Sequence, residues 1–301
     1  MSKYQRSPPS QPRGLSGGQT SSFIWDTNPN RIIAVEIVSL PELGKTFICA
    51  NAMSEHDSDG KVTKCHSAVG DTENKAWIEM DKVGNKHLKV INNMQDFRNF
   101  VDYCLKDDGI RVVCIDSGTD LRQMAEDEFL HDDMEDKIKR VYPLVLYGRV
   151  FSKIDSQVAK LNKGGKNVIF TGRVKDEYEQ QGEDGVRTGN LIRDSYKKLP
   201  YALPIIIMLH RGIKDTKGRI WFSNHIFGEV LKNSFFKKYR EKPEDKLGKP
   251  WVFEPSMEGI IKELSATPWD EQDIIASAHK WLHEQNIIHD EKDTEKLPQV
   301  T

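Results

Sequence analysis

The segment Ser39-Leu-Pro-Glu-Leu-Gly44-Lys45-Thr46 lies between an apolar run and an amphipathic one. It fits the phosphate-binding pattern G-x-x-x-x-G-K-[ST], with Ser39 at the first glycine position. Such a loop turns backbone N–H groups and a helix start toward phosphate oxygens. In that chemistry Lys45 neutralises β- and γ-phosphate charge and Thr46 ligates Mg2+. The nucleotide-binding set is then Ser39, Gly44, Lys45 and Thr46. Further along, Arg111-Val-Val-Cys-Ile-Asp116-Ser117 is an apolar strand ending in a carboxylate. An aspartate at the C-terminal edge of a parallel strand is placed to hold a Mg2+-bound water, which adds Asp116 to the cofactor and metal set. Between the two, Val69-Gly-Asp71-Thr72-Glu73 is a short strand with acidic residues at its end. A carboxylate there polarises an attacking water, with Glu73 the first candidate base and Asp71 the next.

These residues need a frame, and the hydrophobic pattern supplies one. Arg31–Val38, Val69–Thr72, Arg111–Ile115, Asn167–Phe170, Ala202–Leu209 and Arg219–Ile226 read as strands. Gly44–Met53, Met94–Lys106 and Ser152–Leu161 read as helices; in the second, Phe97, Phe100, Val101 and Cys104 share one face. Asn92 or Asn93 is positioned to cap it. Strands alternating with helices, then strands alone, predict an α/β fold with a mainly parallel sheet and antiparallel additions at one edge. Asp57–Gly60 reads as a tight turn. Residues 1–25 are a Pro-, Gly-, Ser- and Gln-rich flexible tail, 26–240 the core, and 241–301 a polar linker with a small C-terminal helical appendage, Ser256–Leu264 and Asp270–Gln285.

Composition narrows the class. The chain has 301 residues, 30% of them charged and 37% hydrophobic, with a net charge of −2. Mean hydropathy is −0.61, and no apolar stretch approaches the ~18 residues of a membrane helix. The first residues lack the apolar core of a secretory signal. Four cysteines, Cys49, Cys65, Cys104 and Cys114, show no paired framework, which points to a reducing, cytoplasmic setting. Cys65-His66 with His56 has no complementary ligand pair for a metal. Net charge gives no support for nucleic-acid binding, so any such surface must be local.

The order GKT, Asp-Thr-Glu, then V-V-x-I-D-S resembles the RecA family of recombinases, and within it the short RecA-like ATPases of phages, over roughly Arg31–Tyr239. Asn167-Val-Ile-Phe-Thr171-Gly172-Arg173 resembles that family's sensor strand, with Thr171-Gly172 where its classical members carry an amide; Thr171 or Arg173 stands in for it. Lys198–Tyr201 through Leu209–Arg211 resembles the strand that follows. Val230-Leu-Lys232-Asn233 resembles the V-x-K-N segment, whose lysine reaches a neighbouring subunit's nucleotide. The resemblance implies a RecA-like P-loop NTPase core, ATP and Mg2+ as cofactors, and hydrolysis with Glu73, Lys45 and Lys232 as catalytic residues. It also implies a homo-oligomer, filament or ring, acting on single-stranded DNA in recombination, annealing or repair.

For DNA contact, polar Val174–Asn190 reads as a mobile loop, and Arg187, Arg193, Lys197 and Lys198, with Tyr196 and Tyr201, as a basic and aromatic cluster. The acidic stretch Ala125–Asp136 reads as a solvated helix face or a contact for a basic partner. Two further readings stay open: a ring-forming replication motor or helicase-associated ATPase, and a nucleotide-binding interaction scaffold with weakened catalysis.

Overall fold

Six consecutive buried residues, Ala34–Ser39, form β1 at the centre of the sheet. The structure, a computed structural model, describes residues 33–132, 147–181, 184–194, 203–214, 217–233, 251–252, 255–257, 259–260 and 271–285. The tail 1–25, the polar linker 241–250, Lys197 and Lys198 lie outside the described residues.

Beyond β1 come α1 (Lys45–Ala50), the hairpin β2 (Glu55–His56) and β3 (Val62–Lys64), β4 (Ser67–Asp71), α2 (Trp77–Lys82), β5 (Leu88–Val90) and α3 (Met94–Lys106). There follow β6 (Val112–Asp116), α4 (Gly118–Asp132), α5 (Tyr147–Lys163), β7 (Asn167–Gln181), β8 (Asp184–Arg193), β9 (Ile205–Lys214), β10 (Ile220–Asn233), β11 (Trp251–Val252) and α6 (Glu271–Glu284). The main sheet runs β11-β10-β9-β1-β7-β6-β4-β5, with β8 paired to β7 outside that path. Pairing is parallel from β9 through β5 and antiparallel at β9–β10 and β10–β11. This is the α/β fold with a mainly parallel sheet and antiparallel edge additions that the hydrophobic pattern predicts.

Both faces of the parallel strands are covered, which is why they read as continuous apolar runs. Phe97, Phe100, Leu121, Phe129, Ile154 and Phe170 belong to the core on one face, beneath α3, α4 and α5. Ile37, Ile48, Val69, Met80, Cys114 and Ile169 belong to the core on the other, under α1 and α2. A third cluster joins Phe222 and Phe227 of β10 to Ala278 and Leu282 of α6. Helix α3 uses Asn93 as its cap: the side chain accepts from the Asp96 N–H at 2.9 Å, and Asp96 accepts from the Asn92 N–H at 3.1 Å. At Asp57 the side-chain oxygen accepts from the N–H groups of Asp59 and Lys61, the turn expected from the sequence.

One expectation changes, and another is met only in part. Val174–Asn190 is not a loop: β7 continues beyond the sheet to Gln181 and pairs antiparallel with β8 as a two-stranded ribbon. Polar strands need no apolar alternation when the backbone ladder and cross-strand ion pairs hold them. Here Lys175 meets Asp194 at 2.8 Å, and Arg187 pairs with Asp176. Two acids of α4 are engaged by neighbouring cations, while Asp127 is exposed and accepts from the Gln123 amide at 3.0 Å. Glu128 binds Arg98 of α3 at 2.7 Å and Lys153 of α5 at 3.0 Å, and Glu126 binds Arg122 at 2.9 Å. Asp133, Glu135 and Asp136 lie outside the described residues.

Candidate active site

Chain reversal between β1 and α1 is tight. Glu42 takes φ 65° and Gly44 φ 75°, the left-handed region that favours glycine. Lys45 then folds back over the loop. Its ammonium donates to the Ser39 hydroxyl at 2.8 Å, the Leu40 carbonyl at 3.1 Å and the Ser39 carbonyl at 3.3 Å. Ser39, where the pattern has glycine, thus gives the ammonium a resting partner. Burial lowers the Lys45 pKa against the opposing charges of Asp116 and Glu73.

In the sheet, β7 lies between β1 and β6, so Asp116 is not on the strand next to the loop. The gap is closed by hydroxyls. Thr46 Oγ1, at the start of α1, donates to Asp116 Oδ2 at 2.5 Å. Thr171 Oγ1, on the intervening strand, donates to the other carboxylate oxygen. Burial raises the Asp116 pKa although both hydroxyls favour its charged form.

At the end of β4 the two acidic candidates separate. Asp71 is buried and already committed: its oxygens accept from the N–H groups of Glu73 at 2.9 Å and Ala76 at 2.7 Å. It shapes the turn that presents Glu73. Glu73 Oε1 meets Arg173 Nη2 at 2.5 Å, and its other oxygen meets Lys75 at 3.3 Å. Burial works to raise the Glu73 pKa, but Arg173 and Lys75 outweigh it and the net shift is downward. Arg173 also reaches Asp120 Oδ2 at 3.1 Å. Asp120 in turn accepts from Ser117 Oγ at 2.6 Å.

The arrangement joins an ammonium on a phosphate-type loop, a hydroxyl–carboxylate pair suited to a hard cation, and a carboxylate held by an arginine. Gly44 leaves open space where a Cβ would stand, and the oxygen donors Thr46 and Asp116 are of the kind Mg2+ prefers. The residues therefore fit a Mg2+–nucleotide. Among the described residues, no group of three or more His, Cys, Asp or Glu could hold a metal. His66 instead bonds Glu55 at 2.6 Å and the Gly109 carbonyl at 2.9 Å.

No protein-family model matches the chain, and no curated protein matches it. Among solved structures, a similar chain is that titled "Crystal structure of the RadB recombinase". It is 13% identical, with 67% of this chain and 82% of that chain covered and a TM-score of 0.38. The assignment of the site rests on the side chains described above.

The remaining candidates fall elsewhere. Lys232 lies within β10, not after it, with its backbone opposite Ile206 next to an irregularity in the pairing. Ile206 is opposite Glu36, so Lys232 is level with the middle of β1 rather than with the phosphate loop. Arg187 and Arg193 do not form one exposed cluster. Arg187 is on the ribbon, whereas Arg193 at its foot reaches the fully buried Glu36 of β1 at 2.9 Å. Burial lowers the Arg193 pKa, opposed by the charge of Glu36. Asp120, Glu36 and Tyr178 go unnoticed in the sequence. Asp120 lies four residues after Asp116, in the first turn of α4, and an acidic residue at a helix start is the signal available for it. Glu36 stands out as a single charge inside an apolar strand. Tyr178 lies on the solvated ribbon and is 62% exposed. Among the described residues, no helix is long and apolar enough to cross a membrane.

Proposed function

We propose that the chain is a Mg2+-dependent ATPase of the RecA-like type that acts on DNA as a homo-oligomer. The observation that carries this reading is the 2.5 Å bond between Thr46 and Asp116. It joins the two most diagnostic sequence motifs at one point beside the Lys45 ammonium. Gly44, Lys45 and Thr46 would hold the phosphates, and Thr46 and Asp116 the Mg2+, which when bound supplies charge neutralisation on the phosphates.

Each side chain then has a task. Lys45 leaves its three loop oxygens for phosphate oxygens, a charge-assisted exchange. Thr171 and Thr46 orient the Asp116 carboxylate. Glu73 takes a proton from the attacking water, and Asp71 fixes the backbone that carries it. Lys232 is proposed to act across a subunit boundary, in keeping with its distance in the sheet order from its own phosphate loop.

Single-stranded DNA is the proposed macromolecular ligand, and the ribbon its contact. Tyr178 is exposed on β7 with Arg187 as its cross-strand partner, the aromatic-plus-cation pairing on which bases stack. Lys197 and Lys198 remain proposed phosphate contacts. The test is calorimetry and phosphate release with Mg2+–ATP, with and without single-stranded DNA, followed by sizing with a non-hydrolysable analogue. Saturable ATP binding lost in Lys45→Ala, DNA-stimulated release and a larger assembly are expected. A filament supports recombination or annealing and a closed ring a motor. Absence of any nucleotide response would leave an interaction scaffold.

A further inference from the structure

In Asp71-Thr72-Glu73 the outer residues have tasks, the turn and the proposed base, and Thr72 between them has none so far. The register pairing of β4 with β6 ends at Asp71 opposite Asp116. Past that point the two segments stay joined through Thr72. Its N–H donates to the Asp116 carbonyl at 2.7 Å. Its hydroxyl oxygen accepts from the Ser117 N–H, also at 2.7 Å. The hydroxyl proton has two weaker acceptors, the Ser117 carbonyl at 3.3 Å and Asp120 Oδ2 at 3.4 Å.

Ser117 is buried and stands at the start of α4. Its carbonyl accepts from the Leu121 N–H at 3.2 Å. Its hydroxyl donates to Asp120 Oδ2 at 2.6 Å and accepts from the Asp120 N–H at 3.3 Å. A serine followed three residues later by an acid is the pattern of a capping box, in which the acid's side chain returns to the N–H of the capping residue. Here that N–H goes to Thr72 instead, and Asp120 holds the serine hydroxyl and, at 3.1 Å, Arg173. This departure from the local pattern ties the start of α4 to the turn that carries Glu73.

We propose that Thr72 is a positioning residue for hydrolysis: its amide and hydroxyl set the distance between the Glu73 turn and the Asp116 backbone, and Asp120 steadies the Ser117 end of that contact. This rests on the reading of Glu73 as the base and of Asp116 as the Mg2+ carboxylate. Glu73 follows Thr72 directly and Ser117 follows Asp116 directly, so the two 2.7 Å bonds act at the residues that carry both groups. Thr72 is β-branched, which restricts its χ1 and so fixes the place of the hydroxyl. A base must stand within hydrogen-bond reach of its water. A misplacement of about 1 Å costs on the order of a hundredfold in rate. Asp71 holds the turn from within β4, through the Glu73 and Ala76 N–H groups; Thr72 is the link from that turn to the neighbouring strand.

Amide hydrogen exchange of the nucleotide-free chain, together with steady-state hydrolysis, tests this. Thr72→Val keeps the shape of the side chain and removes the hydroxyl. Its Ser117 amide should exchange about tenfold faster or more. Its kcat should fall by roughly ten- to a hundredfold, while affinity for Mg2+ with a non-hydrolysable ATP analogue stays unchanged. Thr72→Ser should recover both the protection and most of kcat. Thr72→Ala, in which a water can meet the Ser117 N–H, covers the case in which the valine variant fails to fold. Asp120→Asn should loosen the Ser117 amide in the same direction and by less. In a Glu73→Gln background Thr72→Val should add less than about twofold, because a residue that acts through Glu73 has nothing left to position. Multiplying losses in the double variant, wild-type kcat in a folded Thr72→Val, or a loss of analogue affinity that accounts for the loss of turnover would overturn the proposal with Glu73 still the base. Normal turnover in Glu73→Gln would overturn the reading of the base itself, and this inference with it.

Discussion

Thr46 and Asp116 lie seventy positions apart in the chain and share a hydrogen bond of 2.5 Å. The contact spans the width of β7, because Thr46 enters from the helix above the sheet and not along a strand. It brings the ammonium-bearing loop to the strand that ends in a carboxylate. Lys45→Ala removes the only cation on that loop. ATP affinity should fall by on the order of a hundredfold, as for loss of a hydrogen bond to a charged group. Unchanged affinity by calorimetry would dismiss the loop as the phosphate site.

Asp116 gives a pH signature. Burial raises its pKa above the ordinary carboxylate value, so the folded chain holds this proton more tightly than the unfolded one. Ionising the group therefore costs stability as pH rises from below the unfolded pKa through the folded one. Asp116→Asn escapes that cost. Its melting temperature should exceed that of wild type at pH 7, and the gap should close as pH falls toward about 3. Added Mg2+–ATP should stabilise wild type and not the variant. A gap that is constant with pH would mean that the ionised carboxylate is not the source of the difference.

On the proposed reading, chemistry should separate from binding at Glu73. Glu73→Gln keeps the shape of the side chain and removes its basicity. Turnover should drop on the order of 10²-fold or more while nucleotide binding persists. Asp71→Asn acts differently, since the Asp71 carboxylate accepts two backbone N–H groups; its main effect should be a lower melting temperature. Normal turnover in Glu73→Gln would assign the base to another residue.

Packing between β4 and α3 is tested at Gly70. A Cβ there would stand 2.5 Å from Ile91 Cδ1 and 2.8 Å from Phe100 Cε1. Gly70→Ala should cost about 1–3 kcal/mol, the usual range for overpacking a filled core. Denaturant unfolding should show a lower midpoint with an unchanged slope. No loss of stability would mean that Ile91 and Phe100 adjust freely.

The parallel strands were legible because burial on both faces leaves them uninterrupted apolar runs, as in Arg111–Ile115 and Asn167–Phe170. The turn between β1 and α1 and the strand ending at Asp116 were legible because a strand–turn–helix signal marks the one and an apolar run closed by a carboxylate the other. The ribbon was not: its stability comes from backbone pairing and from ion pairs such as Lys175–Asp194, which have no hydrophobic period. Arg193 looked like part of a basic surface because a sequence does not show which side of a strand foot faces inward. Its partner Glu36, three residues before Ser39 in the chain, lies on the strand that leads into the loop. Asp120 was hidden for a related reason, since its contact with Arg173 joins elements whose proximity only the sheet order reveals.

The ribbon itself supplies the sharpest test of the DNA reading. Tyr178 is exposed on β7 and stands opposite Arg187 on β8, while Arg193 at the foot is engaged with Glu36. If bases stack on this surface, Tyr178→Ala should weaken single-strand binding by about 1–3 kcal/mol and leave its salt dependence unchanged, since no counterion is involved. Arg187→Ala should reduce the salt slope by about 0.7, the value for one phosphate contact on a single strand. Its ion pair with Asp176 is exposed and costs little to give up. Arg193→Met should act on stability instead: it leaves Glu36 without this partner inside the sheet, with an expected loss of about 3–5 kcal/mol. Glu36→Leu/Arg193→Met should recover much of that loss and bind DNA with the wild-type salt slope. Fluorescence anisotropy over a salt series distinguishes the three residues. A Tyr178→Ala variant with full affinity would remove the ribbon from the DNA contact and favour the interaction-scaffold reading of the same surface.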